Sequence, residues 1–194
     1  HWCRVWDTDY DWMTARFASK ELMGAAGMPL SRYMDAITEA ADNLDQPNPV
    51  KAMMFWGHAA NSITRGPAQM KALETVDLLC VIDPHPTQVA IMTKKQDNVY
   101  LLPAATTAEI DGSVTNSNRS VQWRDKVFDP LFESKSDYEI TYRLAAALGF
   151  ADEMFKHIEV KDNNPQAESV LREINRGTWT IGYTGQSPER LKRH

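Results

Sequence analysis

The chain has 194 residues, 43% hydrophobic and 24% charged, the balance of a globular domain long enough to bury a core. Its 21 Lys and Arg stand against 26 Asp and Glu, a formal net charge of -5, which argues against a dedicated nucleic-acid surface and against a polybasic membrane patch. No apolar run approaches the ~20 residues that a membrane-spanning helix needs. Two cysteines, Cys3 and Cys80, make no disulfide framework, and the five scattered histidines show no metal-ligand spacing. The chain opens at His1 without an initiator Met and stops at His194 just after a helix start, so both ends are expected to be cuts within a longer protein.

Tyr10, Trp12, Met13, Phe17, Leu22 and Met23 predict a helix over residues 8–25, ended by Gly24 and Gly27. After Pro29, the residues Leu30, Tyr33, Met34, Ile37 and Ala41 fall on one helical stripe. Asn43 to Pro49, with prolines at 47 and 49, predicts a linker or domain edge. Val50 to Trp56 is a nearly continuous apolar run, expected as a strand buried on both faces and ended by Gly57. Pro67 opens a helix whose inner edge is Met70, Leu73 and Val76. A second buried strand, Leu78 to Ile82, ends at Asp83-Pro84; a short helix from Thr87 to Met92 leads to a third, Val99 to Leu102, stopped by Pro103.

This alternation predicts an α/β fold, a Rossmann-like doubly wound parallel sheet with flanking helices. Ser113 to Asp125 reads as ordered loop. Ser136-Asp137-Tyr138-Glu139 is a capping box, backed by Ile140, Leu144 and Leu148 and closed by Gly149. Past Pro165 a last helix is expected, with Val170, Leu171 and Ile174 inward and its end at Gly177. The expected divisions are a helical lead-in over 1–49, an α/β nucleotide-binding domain over 50–150 and a helical extension over 151–194.

Ligands of an open parallel sheet bind beyond the carboxyl ends of its strands. Two such ends carry chemistry. Gly57-His58-Ala59 follows the first strand, where a glycine and small residues let a ligand approach the backbone. Asp83-Pro84-His85-Pro86-Thr87 follows the second. A carboxylate there can accept from both guanine donors, N1–H and N2–H2, and the Thr87 hydroxyl can meet a phosphate or sugar. Taken singly, each reads more simply: Gly57 as a turn residue, Asp83 and Thr87 as caps, His58 and His85 as loop surface, and Asp137 as an acid favoured in a helix first turn. Asn116, Arg119, Gln122 and Arg124 read as a solvated loop rather than an anion site.

Read together and in order, Phe55-Trp56-Gly57, Val81 to Thr87, Leu101 to Thr106, Glu109 to Arg119 and Lys135 to Ile140 resemble the molybdopterin oxidoreductases related to dimethyl sulfoxide reductase. Ser117 to Arg124 and the tail Trp179 to Arg190 are most similar to the large catalytic subunit of the formate dehydrogenases in that group. The resemblance implies an oxidoreductase converting formate to carbon dioxide at a Mo or W centre held by two molybdopterin guanine dinucleotides. It implies that Gly57, His58, Ala59, Asp83, Thr87 and Asp137 line that cofactor. Where the family has Asn or Asp followed by Pro, this chain has Ala59 and Ala60, so contact at Ala59 is restricted to backbone.

The family's metal-ligating Cys or selenocysteine and its [4Fe-4S] cysteines match nothing here, so no catalytic residue and no metal ligand is assigned. Expected partners are the remaining domains of the subunit and an iron-sulfur electron-transfer subunit. A periplasmic bacterial complex is the expected setting, the cytoplasm the alternative. Two other readings stay open: a stand-alone α/β module for a purine nucleotide or small anion, and a non-catalytic scaffold segment.

Overall fold

A computed structural model describes all residues except 18–19, 40–42, 45–47, 179–184 and 194. Ala41, the middle of the expected linker and the first part of the Trp179 tail lie outside the described residues. In chain order the first elements are α1 (Trp2–Val5), α2 (Tyr10–Thr14), α3 (Lys20–Gly24), a 3-10 turn (Leu30–Arg32), α4 (Tyr33–Thr38), β1 (Ala52–Trp56), α5 (Gly66–Leu73), β2 (Leu78–Asp83), α6 (Gln88–Met92) and β3 (Val99–Pro103). There follow β4 (Gly112–Thr115), β5 (Val121–Arg124), α7 (Asp137–Leu148), α8 (Ala151–Met154), β6 (Val160–Lys161), β7 (Asn164–Pro165), α9 (Ala167–Thr178) and α10 (Pro188–Leu191). Two compact units result: residues 26–104, and residues 1–25 together with 105–194.

Residues 26–104 contain the α/β sheet. Its strands run parallel in the order β1-β2-β3, one winding of such a sheet, with α5 and α6 in the crossovers. The central strand β2 is buried on both faces, Leu79 and Val81 on one and Cys80 and Ile82 on the other, as its continuous apolar run requires. The two flanking strands depart from expectation. In β1 only Phe55 is buried, and in β3 both Tyr100 and Leu101 are exposed. Each has a neighbour on one side only among the described residues, so the apolar runs are not sealed on both faces.

One core joins α4 to the sheet: Tyr33, Met34 and Ile37 with Phe55, Leu73, Val76, Leu79, Val81 and Val89. The Tyr33 ring meets Phe55 edge-on, and burial pushes its phenol up to about 12. Leu30, the first residue of the expected stripe, is exposed in the 3-10 turn. Asp35, passed over in the sequence, is buried on α4 and pairs with Arg65 at 2.9 Å and with Arg32. The two guanidiniums, Arg65 first, hold its carboxyl below the usual range and tie α4 to the start of α5.

In the second unit, the helix expected over residues 8–25 is replaced by the separate short helices α2 and α3. The mixed spacing of their apolar residues makes no single stripe, and α2 buries no residue. The stretch read as ordered loop is a hairpin: β4 pairs antiparallel with β5, Gly112 opposite Arg124. Its turn is built by Asn116, whose Oδ1 accepts from the N–H groups of Asn118 and Ser120, with Arg119 at φ +68°. Ser136 caps α7 by accepting from the Glu139 N–H at 3.1 Å. The Glu139 carboxylate, expected to complete the capping box, turns instead to Arg143 at 2.7 Å.

Gly149 ends α7 at φ +83° as expected. Leu148, expected inward, is exposed while Ala145 is buried; on α9 Glu173 is buried and Ile174 exposed, and the helix runs one residue past Gly177. A 12-residue helix presents a face chosen by its neighbours, and one step around the helix exchanges these positions.

Glu109 braces the segment before and after the hairpin. It is 5% exposed, and its two oxygens accept from Thr106 N–H at 2.6 Å and Leu131 N–H at 2.9 Å. Those bonds, Thr106 first, hold its carboxyl below the ordinary range. Because folding lowers this pKa, the stabilisation is complete above the ordinary carboxylate range and is lost as pH falls through the folded-state value. Glu109→Gln is expected to lower the melting temperature at pH 7, with the gap to wild type closing in acid. A gap that stayed constant with pH would assign the effect to packing alone.

Candidate cofactor-binding site

The parallel pairing of β1 and β2 sets Trp56 opposite Ile82, so the two strand ends lie side by side. The Gly57 N–H donates to the Ile82 carbonyl at 2.9 Å and carries the ladder one residue past β1. Gly57 has φ +60°, a conformation that suits glycine, and a Cβ built there would meet nothing within 4 Å. The backbone is therefore open to close approach at this point. His58 and Ala59 are half-buried; Ala60 is buried and also left-handed, at φ +57°. The imidazole Nδ1 of His58 accepts from the Ala60 N–H at 2.9 Å, satisfying a backbone donor that burial would otherwise strand.

Asp83 ends β2 half-buried, and its main-chain carbonyl accepts from the Ala104 N–H at 3.2 Å. Its Oδ1 accepts from the His85 N–H at 3.1 Å, an Asx turn across Pro84. No described residue bonds its other oxygen. Asp83 thus shapes a turn and caps no helix. Thr87 is the N-cap of α6: it is buried, and its Oγ1 accepts from the Ala90 N–H at 3.4 Å. That cap uses an acceptor lone pair, and the hydroxyl still has its proton to donate.

Gly57, His58, Ala59, Asp83 and Thr87 therefore gather at the carboxyl edge of one sheet, within residues 26–104. Asp137 belongs to the other unit, exposed in the first turn of α7. There its charge follows burial in pushing the Tyr138 phenol up.

Two concave features escaped the sequence reading. A groove of about 670 Å3 runs between α5 and α6, bounded by Ile63, Gln69, Met70, Gln88 and Met92. Gly57, His58 and Asp83 do not line it. Gln69, one of its lining residues, is buried and its Oε1 has no partner among the described residues; the signal was a polar residue on the stripe of Leu73 and Val76. In the second unit a cleft of about 110 Å3 lies among Glu109, Asp111, Lys126, Ser136 and Tyr138. Among the described residues no three His, Cys, Asp or Glu side chains gather to hold a metal ion, and no helix is long and apolar enough to cross a membrane.

The chain is 38% identical over 122 residues to the F420-dependent formate dehydrogenase subunit alpha of Methanocaldococcus jannaschii, covering 63% of this chain and 16% of that protein. It is 34% identical over 120 residues to the F420-dependent formate dehydrogenase 1 subunit alpha of Methanococcus maripaludis, covering 62% of this chain and 16% of that protein. The chain thus spans about a sixth of the length of either relative. Among solved structures, acetylene hydratase from Pelobacter acetylenicus superposes with a TM-score of 0.56 at 21% identity, over 82% of this chain and 19% of that one, a likeness of fold. Residues 38–147, more than half of the chain and the whole of the β1 and β2 strand ends, match the family described as molybdopterin oxidoreductase, and to that family this chain belongs.

Proposed function

We propose that this chain is the cofactor-holding part of a formate dehydrogenase catalytic subunit, which oxidises formate to carbon dioxide at a Mo or W centre bound by two molybdopterin guanine dinucleotides. The observation that carries this reading is the pair of strand ends, Gly57 beside Asp83, inside the region that matches the family. The names of its relatives support the choice of substrate.

The donor set fits the guanosine diphosphate end of such a cofactor. Gly57 leaves open space for close approach, Asp83 keeps an acceptor oxygen without a protein partner among the described residues, and Thr87 keeps a hydroxyl proton. Ala59 contributes backbone only. For Asp137 the resemblance is the only support. When bound, the metal-dithiolene group supplies the two-electron redox chemistry. The task of these residues is to bind and orient it.

In this reading residues 50–150 are the cofactor domain, 1–49 its helical lead-in and 151–194 a helical extension. The [4Fe-4S] cysteines and the Cys or selenocysteine metal ligand belong to the part of the subunit outside this chain. An iron-sulfur subunit takes the electrons, in a periplasmic complex, with the cytoplasm as the alternative setting. Exposed apolar side chains, Phe132 at 99% and Val127 at 78%, suit packing against those further parts.

The reading frame upstream of His1 provides the test. A four-cysteine cluster followed by Cys or selenocysteine and His is expected, and a start codon next to His1 would overturn the proposal. The 194-residue chain by itself is expected to show no formate-dependent dye reduction and no stoichiometric Mo, W or Fe.

A further inference from the structure

We propose that His58 is a neutral hydrogen-bond donor to the diphosphate of the nucleotide bound at this sheet edge, an assignment that rests on the cofactor reading above. Ala60 is 3% exposed, so its N–H must find a partner within the protein, and the partner is His58 Nδ1 at 2.9 Å. A backbone N–H only donates, so Nδ1 carries a lone pair and the single proton of the neutral ring sits on Nε2. The turn that holds this bond is flanked by two left-handed residues, Gly57 at φ +60° and Ala60 at φ +57°. The tautomer of His58 is therefore dictated by main-chain geometry, and no described residue accepts from its Nε2–H.

The neighbouring chemistry gives that donor its purpose. Asp83, at the adjacent strand end, offers a carboxylate, which suits the donors of a base and opposes the charge of a phosphate. An anionic ligand at this edge needs protein donors to offset that repulsion. The Thr87 hydroxyl is one, and His58 Nε2–H is a second, attached to the loop where Gly57 leaves the backbone open.

Two substitutions separate the two nitrogens. His58→Asn retains an acceptor near Nδ1 for the Ala60 N–H and removes the outer donor. His58→Gln reaches to the Nε2 position with an amide N–H and loses the turn acceptor. Binding of guanosine diphosphate and of guanosine to the 194-residue chain is measured by equilibrium dialysis, with thermal melts on the same samples. Wild type is expected to prefer the diphosphate. His58→Asn is expected to lose roughly 10-fold or more of that preference, since the bond is to a charged group, with guanosine binding and melting temperature unchanged. His58→Gln is expected to keep the preference and melt lower. A diphosphate preference undiminished in His58→Asn overturns the donor role alone. A wild-type chain that melts cooperatively and binds neither compound overturns the nucleotide reading, and this assignment with it. Nitrogen-15 NMR of the imidazole is expected to show the Nε2–H tautomer; the Nδ1–H tautomer would refute the assignment directly.

Discussion

Asp83→Ala, in the intact catalytic subunit, is expected to lower the guanine nucleotide retained per folded protein by roughly 10–100-fold, the worth of hydrogen bonds to a charged acceptor. The carboxylate lies at the end of β2, beside Gly57, with one oxygen engaged by the His85 N–H and the other without a protein partner among the described residues. Guanine presents N1–H and N2–H2 in the same direction, and an ionised carboxylate accepts both. Adenine has no such pair of donors and should be disfavoured.

Asp83→Asn sharpens the experiment. Its side-chain oxygen can still accept from His85 and hold the Asx turn, while its amide sets donors against donors. The expected result is a melting temperature near wild type with nucleotide lost. Asp162→Asn, at an exposed turn position, is expected to change neither. Were the role of Asp83 confined to its turn, Asp83→Ala would melt lower and yet retain full nucleotide per folded protein.

The second large effect is expected in the core. Leu79 has no exposed surface and lies on the central strand, in the cluster that joins α4, α5 and the sheet. Leu79→Ala removes buried methyl groups and leaves a cavity, at a cost of about 2–5 kcal/mol. Against a typical total of about 5–15 kcal/mol, that is a large share of the folded state. Leu101→Ala, on the exposed edge strand β3, is expected to fall within about 0.5 kcal/mol of wild type. Urea unfolding of the two variants gives the comparison. Equal shifts would contradict the central place of β2.

The strands, and the helices of their crossovers, were legible because each is a local pattern: apolar runs ended by Gly57, Asp83-Pro84 and Pro103, with Pro67 and Thr87 at helix starts. The strand β2 met expectation from Leu79 to Ile82, which are buried, while Leu78 at its start is exposed. For β1 and β3 the apolar runs could not reveal that each has one neighbour only among the described residues, since position in a sheet is set by pairing between distant segments. The hairpin of β4 and β5 was hidden by its polar composition, because its turn is held by the Asn116 side chain rather than by glycine. At the capping box Ser136 behaved as read, whereas Glu139 had a competing partner in Arg143 one turn along.

By itself the sequence determined the α/β character, the family, and five of the six candidate residues as neighbours at strand ends, because motif order and hydrophobic periodicity are written along the chain. Tertiary structure alone decided how those residues are spent. It committed one Asp83 oxygen to a turn and gave the other no protein partner among the described residues, turned Thr87 into a cap with a proton to spare, and set the His58 tautomer through a buried N–H. The physical reason is that a polar atom's role depends on which of its lone pairs and protons the folded backbone has already taken. That accounting exists only when distant segments meet.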